Sequence, residues 1–262
     1  MMQTLERGGV RLAYQEAGSG GVPLLFVPGG SCDWWSFHEQ LDHFATNQRV
    51  VSLDLRGHGQ SDKPEQDYSI RGYTDDVAWT IDELELDRPV VIGHSMGGAI
   101  ALQLAADRPD LVRALVLVDP SPVNDNRVGF QKMLNAMAEH GVDPTRRRAF
   151  GNFFLDRHDP ALLAEICQRA AAVPDRVFTA EIASLRDWDG GATARRCLVP
   201  VLHIAAARPA CSPSALRALI PSVVSGQTVG AGHFNMLEVP DQVNSMIERF
   251  LEHYVDQPQQ PR

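Results

Sequence analysis

Short runs of apolar, often β-branched residues recur along the chain, and most end in glycine, proline or small polar residues. They are Leu24-Leu25-Phe26-Val27, Val50-Val51-Ser52-Leu53-Asp54-Leu55, Val90-Val91-Ile92, Ala114-Leu115-Val116-Leu117-Val118 and Val201-Leu202-His203-Ile204. Runs of this length bounded by turn formers read as strands buried on both faces. Residues 10 to 15, Val-Arg-Leu-Ala-Tyr-Gln, alternate apolar and polar as a half-buried strand does, and Thr228-Val229 reads as the last strand. Between these runs lie helical patterns: Val77, Ile81 and Leu84 fall on one face, and Ala99 to Ala106 has good helix propensity. Buried strands alternating with helices predict an α/β fold, a mostly parallel sheet covered on both faces.

One segment breaks the alternation. Between Asp119 and Val199 the apolar residues keep helical spacing, as in Phe130, Met133, Leu134 and Met137, then Leu162, Leu163 and Ile166, then Ile182 and Leu185, with no convincing strand. It reads as a helical cap inserted after the sixth strand and placed over the strands' carboxyl ends; ordinary covering helices are the competing reading. The expected division is a core of residues 1–119 and 198–256, a cap of 120–197, and a disordered tail of 257–262.

The most informative stretch is Val90 to Ala106, where a short strand runs into Gly93-His94-Ser95-Met96-Gly97 and then into a helix. A strand-to-helix turn this sharp forces its serine into a sparsely populated backbone conformation, tolerated when the residues two before and two after lack side chains. Gly93 and Gly97 meet that need. The turn lifts the Ser95 hydroxyl clear of the sheet and aims the Met96 amide, at the positive end of the helix, where an oxyanion would form.

Composition narrows the partners. At 262 residues the chain suits one domain, and 44% hydrophobic with 22% charged residues is ordinary for a globular protein. The formal charge of −9 disfavours nucleic acid and anionic membranes. Arg146-Arg147-Arg148 is too short a cluster to reverse that, and reads as a solvated helix start after Asp143-Pro144. Cys32, Cys167, Cys197 and Cys211 form no Cys-x-x-Cys pair and have no histidines at metal spacing, so they read as reduced thiols with no metal site. With no basic segment leading into an apolar core at the start, and no apolar run near the roughly 18 residues of a span, a cytoplasmic location is expected.

Three motifs in order, Asp54-Leu55-Arg56-Gly57-His58-Gly59-Gln60-Ser61, Gly93-His94-Ser95-Met96-Gly97-Gly98, and Gly230-Ala231-Gly232-His233-Phe234 with Glu238-x-Pro240, resemble the α/β-hydrolase superfamily over nearly the whole chain. The resemblance implies an eight-stranded sheet, a serine-acid-histidine triad in that order, and no cofactor. It points to Ser95 as nucleophile and His233 as base, whose imidazole can take the serine proton and return it to a leaving group at neutral pH. His58 and His94 are commoner in this family as structural residues.

The acid departs from the family pattern. Relatives carry an aspartate shortly after the strand spelled here Val201-Leu202-His203-Ile204, but the following loop reads Ala205-Ala206-Ala207-Arg208-Pro209-Ala210-Cys211-Ser212, and no acidic residue lies between Asp189 and Glu238. Asp119, directly after the preceding strand, is the best replacement, since some family members place their acid there; an aspartate at that strand end also serves in relatives as a loop cap. Asp54 reads as the anchor of its own turn and Glu238 as a partner to the His233 loop. By position, Gly30 and Met96 supply the oxyanion-hole amides, with Pro28 replacing the histidine that usually braces the first of these loops.

Trp34, Trp35 and Phe37 are candidates to wall an apolar acyl pocket together with Val123, Phe130, Met133, Phe153 and Phe154, with Phe234 beside the base; each also reads as plain core. The expected function is therefore a serine hydrolase of a small, mostly apolar ester or lactone, acting without metal or cofactor on a small-molecule substrate. Thioester or carbon–carbon bond hydrolysis by the same triad is the alternative. A weakly catalytic ligand-binding protein of the same fold is the other, motivated by the vacant acid position.

Overall fold

The computed structural model describes residues 2–123, 127–156 and 158–255, so the expected tail of 257–262 lies outside the described residues. In chain order the strands are β1 (Gln3–Arg7), β2 (Val10–Ala17), β3 (Leu24–Val27), β4 (Val50–Leu53), β5 (Val90–His94), β6 (Ala114–Val118), β7 (Val201–Ala205) and β8 (Val224–Gln227). They form one eight-stranded sheet in the order β1-β2-β4-β3-β5-β6-β7-β8. The β1–β2 and β2–β4 pairs are antiparallel and every other pair is parallel. Strand order reverses around β3, and an open sheet of this kind binds ligands beyond the carboxyl ends of the strands flanking such a reversal.

Two strand expectations change. The last strand is Val224–Gln227, not Thr228-Val229: the Thr228 amide still donates to the Ala205 carbonyl at 2.9 Å, but the chain then turns and leaves Val229 exposed. As an edge strand with serine, glycine and glutamine it buries little, so its apolar signal is weak. β1, equally polar, is held by its ladder to β2 and shows no periodicity of its own.

Because side chains alternate across a strand, neighbouring residues serve opposite cores. Leu25, Val27, Val51, Val91, Leu115 and Leu117 pack against helices α2 (Ile70–Glu83) and α3 (Met96–Asp107). Leu24, Phe26, Val50, Val90, Ile92 and Val116 pack against α1 (His38–Phe44) and, near the end of the chain, α11 (Pro240–Phe250). Among the described residues, five helices stand between β6 and β7: α4 (Arg127–His140), α5 (Val142–Phe153), α6 (Pro160–Ala170), α7 (Asp175–Asp187) and α8 (Gly190–Arg195). Two short helices, α9 (Pro213–Leu219) and α10 (Asn235–Glu238), complete the set. The inserted helices join both cores: Met137 of α4 and Val177, Phe178 and Ile182 of α7 belong to the first, Phe150 of α5 and Ile166 of α6 to the second.

Helix starts follow local chemistry. Ser69, Asp159, Asp189 and Ser212 each accept a hydrogen bond from an amide of the first turn of α2, α6, α8 and α9, and α6 and α9 begin with proline. All four cysteines are free. No described helix is long and apolar enough to cross a membrane.

The arginine cluster corrects an expectation. Arg146 is not solvated: its side chain is buried inside the insertion, donating to the Val173 carbonyl at 2.9 Å and to Asp143 at 3.2 Å, with its guanidinium 5.4 Å from the Phe178 ring centre. The register explains this, since Arg146 lies four residues from both Val142 and Phe150 on the inner face of α5. Arg147 stays exposed and pairs with Asp143 at 2.8 Å. Arg146→Ala strips packing and leaves the Val173 carbonyl unpaired, so it should lower unfolding free energy by about 2 kcal/mol. Arg147→Ala should change it by less than about 0.5 kcal/mol. Urea titrations of both variants beside wild type decide; equal losses would return Arg146 to the surface.

Candidate active site

Ser95 sits where β5 ends and α3 begins, with φ 51° and ψ −116°, a conformation that few side-chain-bearing residues adopt. A Cβ on Gly93 would collide with the Gly97 carbonyl, and one on Gly97 with the Val27 carbonyl, both rigid backbone. The Ser95 amide donates to the Val118 carbonyl at 3.2 Å. Its own carbonyl accepts from the amides of Gly98 and Ser121, each at 3.0 Å. The turn is thus fastened to the end of β6 as well as to its own helix.

That end of β6 carries Asp119, which is also in the left-handed region, at φ 36°. Its fully buried carboxylate accepts from His233 Nδ1 at 2.6 Å and, through Oδ1, from the amides of Ala206 and Ala210 at 3.3 and 3.2 Å. The loop after β7 that holds no acid of its own therefore gives its amides to the acid of the neighbouring strand. With Nδ1–H committed to a carboxylate, Nε2 of His233 carries the free lone pair.

The His233 loop is held from several sides. Its backbone amide donates to the Phe153 carbonyl at 2.8 Å, and a Cβ on Gly232 would strike that same carbonyl. Glu238 accepts from the Gly232 amide at 2.9 Å, and burial raises its pKa above the usual carboxylate range. His94 Nε2 donates to the His233 carbonyl at 2.9 Å. Burial, and the neighbouring His233, push the pKa of His94 well below that of a free imidazole, so it stays neutral beneath His233. The Phe153 ring centre lies 4.4 Å from that of His233.

Across the cavity, the loop after β3 brings Gly30 beside Met96. Pro28 replaces a bracing histidine, and His58 braces the loop instead: the Ser31 amide donates to His58 Nε2 at 3.0 Å. Asp54 anchors its turn as expected, accepting from the amides of Trp34 at 2.8 Å and Gln60 at 2.7 Å.

A cavity of about 430 Å³ joins Gly30, Ser95, Met96 and His233. Phe130 and Met133 of α4 and Phe153 of α5 line it, as expected. Trp34, Trp35, Val123, Phe154 and Phe234 do not, and the pocket expectation is corrected for them. Trp34 and Trp35 form a 3₁₀ turn, Trp34–Phe37, packed against the second core, with Trp35 stacked on His38 under the Arg169 guanidinium and Phe37 fully buried. Val123 is buried in the first core, while Phe154 and Phe234 stack on each other in the second, behind His233. Residues that sequence reasoning missed include Ser121, Phe150, Phe178, Glu181 and Ala210. Among the described residues no cluster of histidine, cysteine, aspartate and glutamate has the geometry to hold a metal ion.

A family model described as alpha/beta hydrolase fold matches residues 22–172. An uncharacterized protein of Mycobacterium tuberculosis is 27% identical over 272 residues, an alignment covering 93% of this chain and 79% of that protein. Among solved structures, an N-acyl homoserine lactone degrading enzyme superposes with a TM-score of 0.86 at 26% identity, covering 95% of this chain and 100% of that one. An enol-lactonase from Burkholderia xenovorans gives a TM-score of 0.86 at 22% identity, covering 96% and 100%, a likeness of fold.

The Asp54 turn has a pH signature. Burial pushes this carboxyl up to about 6, against the opposing hydrogen bonds of Gln60 and Trp34. Between the unfolded value of 3.8 and the folded one, the folded chain holds a proton that the unfolded chain has released, so stability falls as pH rises through the window. The full loss is about 3 kcal/mol. Asp54→Asn removes it: relative to the variant, wild type should lose about that much unfolding free energy from about pH 4 to about pH 6.5. Parallel pH profiles for the two proteins would rule out the buried proton.

Proposed function

The chain is a hydrolase belonging to the α/β-hydrolase fold family, and from that premise we propose that it cleaves a small, mostly apolar carboxylic ester or lactone with Ser95, His233 and Asp119 as its triad. The observation that carries the reading is the 2.6 Å contact of His233 Nδ1 with Asp119, made while His233 and Ser95 face one cavity. A cavity of this size suits a small ligand, and its phenylalanine, methionine, isoleucine and leucine side chains suit an apolar one.

In this mechanism Ser95 Oγ attacks the substrate carbonyl as His233 Nε2 removes its proton. Asp119 keeps Nδ1 protonated, and so fixes the tautomer, and it stabilises the imidazolium that forms. The amides of Gly30 and Met96 hold the oxyanion, the second helped by the N-terminal end of α3. Collapse of the tetrahedral intermediate expels the alcohol oxygen, which takes the proton from His233. Water, activated by the same imidazole, then attacks the acyl-enzyme and frees Ser95.

Within the ester class, the likeness at 26% identity to an N-acyl homoserine lactone degrading enzyme favours a lactone. Thioester and carbon–carbon bond hydrolysis draw on the same residues. The non-catalytic reading rested on the vacant acid position and is weakened by the His233–Asp119 contact. We assign the residues between β6 and β7 the role of a cap over the cavity, and the four free thiols support a cytoplasmic setting.

The test is the initial rate on short- and medium-chain p-nitrophenyl esters and lactones. Ser95→Ala and His233→Ala should each lower kcat by about 10⁴-fold or more, and Asp119→Asn by about 10⁴-fold, all with unchanged unfolding midpoints. A fluorophosphonate probe should label wild type and not Ser95→Ala. Wild-type rates from Asp119→Asn would remove Asp119 from the triad.

A further inference from the structure

Helix α7 buries a stripe of Val177, Phe178, Ile182 and Leu185, and within that stripe, four residues from Val177 and from Leu185, stands Glu181. The triad chemistry makes no use of it. Its side chain is 1% exposed, and it lines the same cavity as Ser95.

The two carboxyl oxygens differ. Oε1 accepts from the Tyr73 hydroxyl at 2.8 Å and lies 2.9 Å from His58 Nε2. His58 Nδ1 lies 3.0 Å from the Arg56 carbonyl, an acceptor only, so Nδ1 carries a hydrogen. Nε2 also accepts from the Ser31 amide at 3.0 Å and so bears a lone pair; it would meet the lone pairs of Oε1 unless one proton lies between the two atoms, and that shared proton leaves the pair neutral overall. Burial works against charge on His58, yet the Glu181 carboxylate and the Arg56 carbonyl raise its pKa above the usual imidazole value.

Oε2 is buried and has no hydrogen-bond partner among the described residues. It lies 3.2 Å from where a Cβ on Gly30 would sit, beside the loop that supplies an oxyanion amide. Around it the cavity presents mostly apolar walls, among them Phe130, Met133, Phe178 and Ile182. A buried acceptor left empty among such walls costs free energy unless a donor fills it. An ionised carboxylate would oppose the oxyanion forming nearby; neutralised by His58, the group keeps its acceptor without that penalty.

We propose that Glu181 Oε2 is a substrate-recognition site that accepts a hydrogen bond from an uncharged donor, a hydroxyl or an amide N–H, carried on the acyl carbon next to the scissile carbonyl. This deepens the serine-hydrolase reading and rests on it. Gly30 has no side chain because the substrate's α-substituent passes between its amide and Glu181. A substrate that lacks the donor leaves Oε2 unpaired in the closed site, and is turned over more slowly for that reason.

Four methyl esters test this on the wild-type protein: hexanoate, 2-methoxyhexanoate, 2-hydroxyhexanoate and 2-acetamidohexanoate. At least one of the last two should exceed the first two in kcat/KM by about tenfold or more, and the faster of them names the donor. In Glu181→Gln, the amide oxygen is held by the Tyr73 hydroxyl and the NH₂ takes the place of Oε2, so the preference should move toward the methoxy ester. Equal kcat/KM across the wild-type series overturns the proposal, whether or not the variant folds. So does a donor preference that persists in Glu181→Gln. If none of the esters or the chromogenic substrates is hydrolysed, the hydrolase reading fails and this proposal with it; turnover without selectivity removes this proposal alone.

Discussion

The backbone of Ser95 is the constraint on which the site depends. A non-glycine residue at φ 51° costs of order 1–3 kcal/mol and persists only where its surroundings leave no alternative. Here Val118 and Ser121 grip it from β6, while Gly93 and Gly97 let the helix approach β3 and β5 so closely that no methyl group fits. The strain has a use. Relaxing the serine toward helical or extended angles would move its side chain out of the cavity it shares with Met96 and His233. Asp119 repeats the device one strand away at φ 36°, so two adjacent strand ends each hold a side chain off the regular path.

The carboxylate of Asp119 at the end of β6 changes what the next strand end must do. A fully buried carboxylate needs donors, and beyond His233 it finds them in the backbone of the alanine-rich loop after β7. That loop keeps its shape through other residues: Gln227 donates to the Ala206 carbonyl at 3.0 Å and Arg208 to the Phe154 carbonyl at 3.0 Å. Small side chains suit a loop whose amides must come this close to Asp119.

What was legible in the sequence was what local rules dictate. The glycines around Ser95 announce the turn, the buried strands announce the sheet, and an 80-residue stretch with helical spacing and no strand announces the insertion. The pocket was less legible, because a phenylalanine that lines a cavity and one that fills a core obey the same periodicity; Phe153 and Phe154 are neighbours with different fates. Arg146 and Glu181 were missed for a related reason. Charge alone suggests solvent, but each lies on a stripe of apolar residues at three- and four-residue spacing, and that conflict between residue type and position was a readable sign of burial. Its partners were not readable: Tyr73 and His58 lie more than a hundred residues from Glu181 along the chain.

The insertion touches the core on both sides of the cavity that holds Ser95 and His233. Its Phe153 carbonyl accepts from the His233 amide, and the Phe153 ring also faces the imidazole, so a shift of α5 moves His233. On the other side α7 is tied to α2 by the Ile70 amide donating to the Ser184 hydroxyl at 2.8 Å, and by Tyr73 with Glu181. An insertion fastened at both ends of the cavity cannot swing away as a free lid without breaking the bonds that hold His233 and Glu181. Substitutions that reshape the apolar walls of α4, whose Phe130 and Met133 make none of these hydrogen bonds, should change substrate preference with less loss of turnover than those on α5 or α7. The helix to vary for new specificity is thus α4, and the two to leave alone are those that carry Phe153 and Glu181.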